Sequence, residues 1–328
     1  FGVSAHALST DVECALALLA DVLQNPTFPE EMLAREREVQ LAEIKSEQDQ
    51  ILPAAQQLLR ETLYKRHPYR LNINGKLETV SQLTRDDLVA FHQRYVVASN
   101  LVLAVFGNVQ TAHVQQLAQK YFGAIPPRTA EFPTVAAEYL EQPARAEATK
   151  PKEQAVLLLG FHSADLFSPD RYALELLDEA YSGMGSRLFR RLRDELGLCY
   201  YVGAYQQLGL HSGYFVFYVG TSPQNLRRCE EEFFAELAKL GTEGLSSAEL
   251  ARAQNSLIGQ RRIHMQDNAE LSQMVALDEL YGLGYDFYRQ METHYRAVTM
   301  ADIQRLARNY FADRPFASAV ERPDSAKE

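Results

Sequence analysis

Apolar and polar positions along the chain change period several times. Ala15 to Leu23 is an apolar run of helical period, and Leu226, Phe233, Phe234, Leu237 and Leu240 mark a second amphipathic helix after Thr221-Ser222-Pro223. Segments of strand length stand at Ala155 to Phe161, Tyr200 to Gln207 and Tyr214 to Val219, and Leu101 to Gly107, closed by Gly107-Asn108, reads as a buried strand. Ser168-Pro169 opens a further helix, and Gly183-Met184-Gly185 reads as a turn. Thr84 with Asp87, and Thr299 with Asp302, have the spacing of helix-opening caps, and each helix then runs to a tyrosine, Tyr95 or Tyr310. Thr10 with Glu13 has the same spacing before Ala15 to Leu23.

These elements repeat. Leu33, Ala34, Arg35, Glu61, Leu63 and Tyr64 fall, at an offset of 217 (250 − 33), on Leu250, Ala251, Arg252, Asp278, Leu280 and Tyr281. Phe1 to Leu8 is the expected counterpart of the strand Tyr214 to Val219. The second copy has roughly sixty residues more at its front, so the first copy is expected to lack a strand, a helix and the turn that follows. The chain opens at Phe1 without Met, as expected after processing or truncation. Pro126-Pro127 through Pro143 and Pro151 is a Pro/Ala/Glu-rich connector with poor periodicity. The expected organisation is therefore a first domain over 1–125, a linker over 126–153 and a second domain over 154–328, each domain an α+β unit.

Composition narrows the classes of partner. With 33 Lys+Arg against 43 Asp+Glu and no long single-sign block, the net charge of −10 points away from nucleic acid and from anionic membrane surfaces. No apolar run approaches the roughly 18 residues of a membrane span. Cys14, Cys199 and Cys229 are odd in number and widely spaced, so neither a disulfide framework nor a cysteine zinc site is expected.

Three sets of residues have possible chemistry. Glu36 and Glu43 are seven apart, on one face of a helix and two turns from each other, where one can bind a metal and the other support it. Arg35, Arg37, Glu38 and Lys45 share that stretch, so a solvated mixed-charge face fits equally, and Ala253 and Gln260 stand at the matching positions of the second copy. The eight histidines are His6, His67, His92, His113, His162, His211, His264 and His294, and no two lie three to five apart. None can pair in the helical clamp that a zinc peptidase uses to hold its metal. In Gly183 to Tyr200, Arg193 and Tyr200 straddle a helix end at Gly197, so a guanidinium and a phenol can both face a ligand beside the strand; a plain capping turn fits the same residues.

With these residues assembled, the chain resembles the pitrilysin family of zinc metallopeptidases, the group of insulin-degrading enzyme and the mitochondrial processing peptidase. The resemblance spans essentially the whole chain. It rests on the stretch from Leu18 to Ile44, His67-Pro68-Tyr69, Asn100 to Val109 and, most specifically, G-M-G-S-R-L-F-R-R-L-R-D-E-L-G-L-C-Y at 183 to 200. It implies two homologous α+β domains, each a mostly antiparallel sheet with helices on one face, with the first domain incomplete. It also implies zinc as the family's cofactor, held by His-x-x-Glu-His and a later Glu. Glu43 matches that later ligand and Glu36 the acid that supports it, while the histidine motif would lie further back than the 42 residues before Glu43. Arg193 and Tyr200 match the pair that reaches toward substrate backbone. This chain alone is expected to bind no zinc and hydrolyse nothing. The resemblance leaves three readings: a non-catalytic half that binds peptide and closes a proteolytic chamber, a fragment of an active peptidase, or an assembly-only subunit like the core proteins of the respiratory cytochrome complex. The expected partners are a peptide or protein substrate and a second pitrilysin-type half or subunit, in a soluble setting, bacterial cytoplasm or periplasm.

Overall fold

The structure, a computed structural model, describes residues 1–133 and 135–324. Its first part is helical: α1 (Val12–Gln24), α2 (Glu30–Asp49), α3 (Ile51–Leu63), α4 (Leu77–Val80), α5 (Arg85–Tyr95) and α6 (Thr111–Phe122). Strands and helices then mix: β1 (Ala144–Lys150), β2 (Ala155–Ser163), α7 (Arg171–Tyr181), α8 (Arg187–Phe189), β3 (Cys199–Gln207) and β4 (Gly213–Thr221). The chain continues through α9 (Leu226–Glu243), α10 (Ser247–His264), α11 (Asn268–Leu280), α12 (Met291–Ala297), α13 (Met300–Leu306) and β5 (Ala317–Pro323).

The repeat is a repeat of elements. Shifted by 217, α2 begins where α10 begins, and α3 falls on α11 end to end. Both expected caps close into capping boxes: Thr84 and Thr299 each receive the N–H of the aspartate three residues on, and each donates its own N–H back to that carboxylate. The box expected at Thr10 and Glu13 does not form. A 3₁₀ turn, Ser9–Asp11, takes Thr10, α1 starts at Val12 without a side-chain cap, and Glu13 pairs with Lys120 at 2.8 Å instead.

Contacts group the chain into two compact units. One comprises Phe1–Leu41, Leu77–Pro133 and Gln260–Met291; the other Ala42–Lys76, Thr134–Gly259 and Glu292–Glu328. Helices α3 and α11, equivalent in the repeat, thus each belong to the unit built mainly from the other copy.

In the first unit α1 packs on α6, and Gln24 Nε2 donates to the Tyr121 carbonyl at 2.7 Å. His92 Nε2 lies 2.7 Å from the Leu23 carbonyl, tying α5 to the end of α1. No strand is formed among the described residues of this unit. Leu101 to Gly107 is half-buried and unpaired rather than a buried strand, and Phe1 to Leu8 is exposed and outside any strand. The physical reason is that a strand needs a neighbour's N–H and C=O groups, and neither segment has one here.

In the second unit the five strands form a single sheet in the order β1-β5-β2-β4-β3. Only β1 and β5 run parallel; the other three pairings are antiparallel, so the sheet is mostly antiparallel as expected. β1 lies inside the connector expected at 126–153, and β5, which no sequence signal announced, fills the place between β1 and β2. Phe161, Phe215 and Phe217 point to one face, where Tyr181, Phe233 and Phe311 pack edge-on or tilted against them at 5.2 to 6.1 Å. The helices of the second copy therefore cover one face. The other face carries Val156, Leu158, Tyr214, Val216, Ala317 and Ala319, packed on Ala55, Leu59, Leu63 and Tyr64. The small side chains of β5 and Gly160 let α3 approach closely: a Cβ on Gly160 would lie 3.0 Å from Leu59 and Leu63 methyl carbons. No helix among the described residues is long and apolar enough to cross a membrane.

Candidate functional site

The stretch 183 to 200 folds as a tight sequence of stops and starts. Gly183 takes φ +78°, open to glycine alone at no cost, and Ser186 caps α8 by accepting the Phe189 N–H at 3.1 Å. The helix then widens into a π-turn, Arg190–Glu195, and Gly197 at φ +61° ends it. β3 follows as an edge strand of the sheet, paired only with β4.

Three arginines that look alike in sequence have different fates. Arg187 grips both oxygens of Glu249, at 2.9 and 2.5 Å, and also reaches Glu236 at 3.1 Å. The Arg187 hydrogen bonds hold the Glu249 carboxyl down to about 2. Arg191 pairs with Glu232 and Glu195, each at 3.0 Å. Arg193 enters no ion pair among the described residues: its guanidinium lies 5.0 Å over the Phe189 ring and donates to the main-chain carbonyl of Tyr200. Arg193 and Tyr200 are thus brought together.

The register explains why that carbonyl is available. Cys199 pairs with Thr221 and Tyr201 with Gly220, so Tyr200 is the extra residue of a β-bulge, and the residue is 51% exposed. At the other end of β3, Asp178 of α7 accepts the Gln206 N–H and the Ser182 hydroxyl, both at 3.0 Å. Burial pushes the Asp178 carboxyl up to about 6. Ser182 Oγ also lies 3.1 Å from the Ala204 carbonyl, so side chains already hold part of this edge, and β3 stands as the terminal strand of the sheet, paired on one side only.

Glu36 and Glu43 both lie on α2, exposed, in the first and second unit respectively. Neither has a hydrogen-bond or ion-pair partner among the described residues, and no group of three His, Cys, Asp or Glu is placed there to hold a metal. A lone exposed carboxylate without imidazole or thiolate neighbours does not make a zinc site, so these residues do not by themselves fit the metal. His67-Pro68-Tyr69 is a structural knot: Glu138 accepts the N–H groups of Lys65, Arg66 and His67 at 2.8 to 2.9 Å, and Tyr69 accepts the Leu210 N–H.

A second set of polar residues escaped the sequence reading. His162, Ser163, Asp165 and Arg314 line a cleft at the end of β2. They come from two segments about 150 residues apart, and no short-range spacing relates them.

Residues 3–76 match the insulinase family, peptidase family M16, and residues 82–257 match the peptidase M16 inactive domain. An uncharacterized zinc protease of Rickettsia felis is 32% identical over 255 residues, covering 77% of this chain and 61% of that protein. A protease from Helicobacter pylori superposes with a TM-score of 0.89 at 20% identity, over 96% of this chain and 77% of that one. A peptidase M16 inactive domain from Pseudomonas fluorescens gives 0.85 at 24% identity, over 97% and 76%. The chain belongs to peptidase family M16, the pitrilysin-type metallopeptidases, whose curated relatives bear the name zinc protease. It spans 61% of the length of the Rickettsia protein.

Proposed function

We propose that this chain serves as the non-catalytic half of a pitrilysin-type peptidase, binding extended peptide at the Arg193–Tyr200 corner and helping to close the chamber around it. The reading rests on one observation above the rest: the Arg193 guanidinium donates to the main-chain carbonyl of Tyr200, the exposed bulge residue at the start of the terminal strand β3. A peptide would add to that edge by main-chain hydrogen bonds, with Arg193 and Tyr200 holding its carbonyls. The match to the inactive domain and the lack of a three-donor metal group among the described residues support the same reading. Zinc, a water nucleophile and a general base would come from an active partner half.

A second reading keeps Glu43 as a zinc ligand of an active enzyme whose His-x-x-Glu-His lies outside this chain, with Glu36 supporting it. The free, exposed carboxylates of both residues favour it. Metal analysis of the full-length protein separates the two. Stoichiometric zinc lost on Glu43→Gln would select the active enzyme. A metal-free protein that binds a fluorescent extended peptide, with affinity reduced by Arg193→Gln and Tyr200→Phe, would select the non-catalytic half. Peptide binding unchanged by both substitutions would refute the corner.

A further inference from the structure

The two outermost strands of the sheet differ in what borders them. Ser182 and Asp178 already bond to part of the outer edge of β3. β1, at the opposite end, pairs with β5 alone and holds that register over its 7 residues without a bulge. Ala144 donates its N–H to the Phe316 carbonyl at 2.9 Å, so the main-chain groups of Ala144, Ala146 and Ala148 turn toward β5 and, by alternation, those of Arg145, Glu147 and Thr149 turn outward. No strand among the described residues meets them. Native sheets guard such an edge with lysine, proline or a bulge, but β1 holds no proline, and its one lysine, Lys150, donates to the Gln48 carbonyl.

The side chains select the occupant. Ala144 and Ala146 stand beside Ala317 and Ala319, on the face that α3 covers, while Arg145, Glu147 and Thr149 lie exposed on the other face. Two β1 strands laid antiparallel with Ala146 on a two-fold axis place Arg145 of each opposite Glu147 of the other, and each facing pair exchanges two main-chain hydrogen bonds. Opposite charges thus meet twice. On the α3 side Ala146 faces its own copy and Ala144 faces Ala148, all small enough for close approach. Moving the axis to Arg145 or Glu147 sets that residue against itself, and a parallel pairing in register does so for both. Charge therefore selects one register. In the free chain Arg145 binds Glu147 at 2.8 Å and Glu230 at 2.9 Å, and Arg322 reaches Glu147 at 3.1 Å. Ion pairs this exposed contribute little, so trading Glu147 for its counterpart on a second copy costs little.

We propose that the outer edge of β1 pairs with the same edge of a second copy of this chain, antiparallel about Ala146, joining two five-stranded sheets into one continuous sheet. The contact lies at the opposite end of the sheet from the Arg193–Tyr200 corner, so failure of one leaves the other standing.

Sedimentation equilibrium of the full 328-residue chain from about 1 to 300 µM tests it, because a contact built on one short strand gives a dimer whose population follows concentration. Glu147→Lys and Arg145→Glu each set like charges face to face twice, and each should weaken dimerisation at least about tenfold while keeping the circular dichroism of the parent. Mixed in equal amounts, the two variants become complementary and should form a heterodimer about as tight as the parent dimer. Glu147→Pro removes an outward N–H, leaves the bonds to β5 in place and should likewise keep the chain monomeric. Three results would overturn the proposal: a parent chain that stays monomeric throughout the range, a dimer indifferent to both charge reversals, or a mixture no more associated than its components.

Discussion

Arg193 donates to the carbonyl of Tyr200, the residue that the β3–β4 ladder skips. The contact orients the exposed phenol by anchoring its backbone, and it occupies the guanidinium only in part. Arg193→Ala should therefore loosen the start of β3 and weaken peptide binding, whereas Tyr200→Phe removes only the phenol hydroxyl. Because Arg193 is exposed, the stability cost is expected to stay below about 1 kcal/mol. Hydrogen exchange at the Tyr201 amide and peptide affinity, measured on both variants, separate the two effects. Faster exchange in Tyr200→Phe but not in Arg193→Ala would contradict this arrangement.

Asp178 gives a pH dependence with a defined sign. Its carboxyl is raised to about 6 by burial, so the folded state holds the proton more tightly than the unfolded chain. The stability this gives is complete below about pH 4 and is lost as pH rises through about 6, a change of ~3 kcal/mol for a two-unit shift. Asp178→Asn, which can still accept the Gln206 N–H, should raise unfolding free energy at pH 7 to 8 and leave it little changed at pH 4. Urea denaturation across this range checks it. An equal effect at both ends would show that the carboxylate ionises freely.

Arg187 is expected to matter for folding rather than binding. Its side chain is 17% exposed, and it neutralises Glu236 and Glu249, each 12% exposed. Arg187→Ala leaves two carboxylates close together and half-desolvated, at a cost of about 3 kcal/mol. The variant should melt lower, while at temperatures where it remains folded its peptide affinity matches the parent. A loss of affinity without a loss of stability would place Arg187 in the binding site instead.

The contrast between Arg187 and Arg193 shows where sequence reading stops. Caps and repeat were legible because they are local or periodic: Thr84 with Asp87 and Thr299 with Asp302 carry their partners three residues away, and α3 falls on α11 at one fixed offset. The strands β2, β3 and β4 were legible from their apolar runs. Which arginine is tied and which is free depends on Glu236 and Glu249, some fifty to sixty residues distant, and no spacing reveals that. β5 was missed because Ala317 and Ala319 are too small to advertise a strand, although their smallness is what lets α3 pack there. Leu101 to Gly107 misled in the opposite sense, since an apolar run signals burial but not a pairing partner.

The seat of α3 on the sheet gives a prediction that couples two positions. A methyl on Gly160 would press on Leu59 and Leu63 at 3.0 Å, closer than carbon atoms pack without adjustment. Gly160→Ala should then cost ~1–3 kcal/mol by overpacking, and Leu59→Ala, at a fully buried position, ~2–5 kcal/mol by leaving a cavity. The two defects are complementary, because the added methyl points toward the space that Leu59 vacates. The double variant should be more stable than the sum of the single costs predicts, by at least ~0.5 kcal/mol in a denaturation cycle. Strict additivity would mean that α3 does not pack against Gly160 in solution, and that the first copy's helix covers the second copy's sheet elsewhere or not at all.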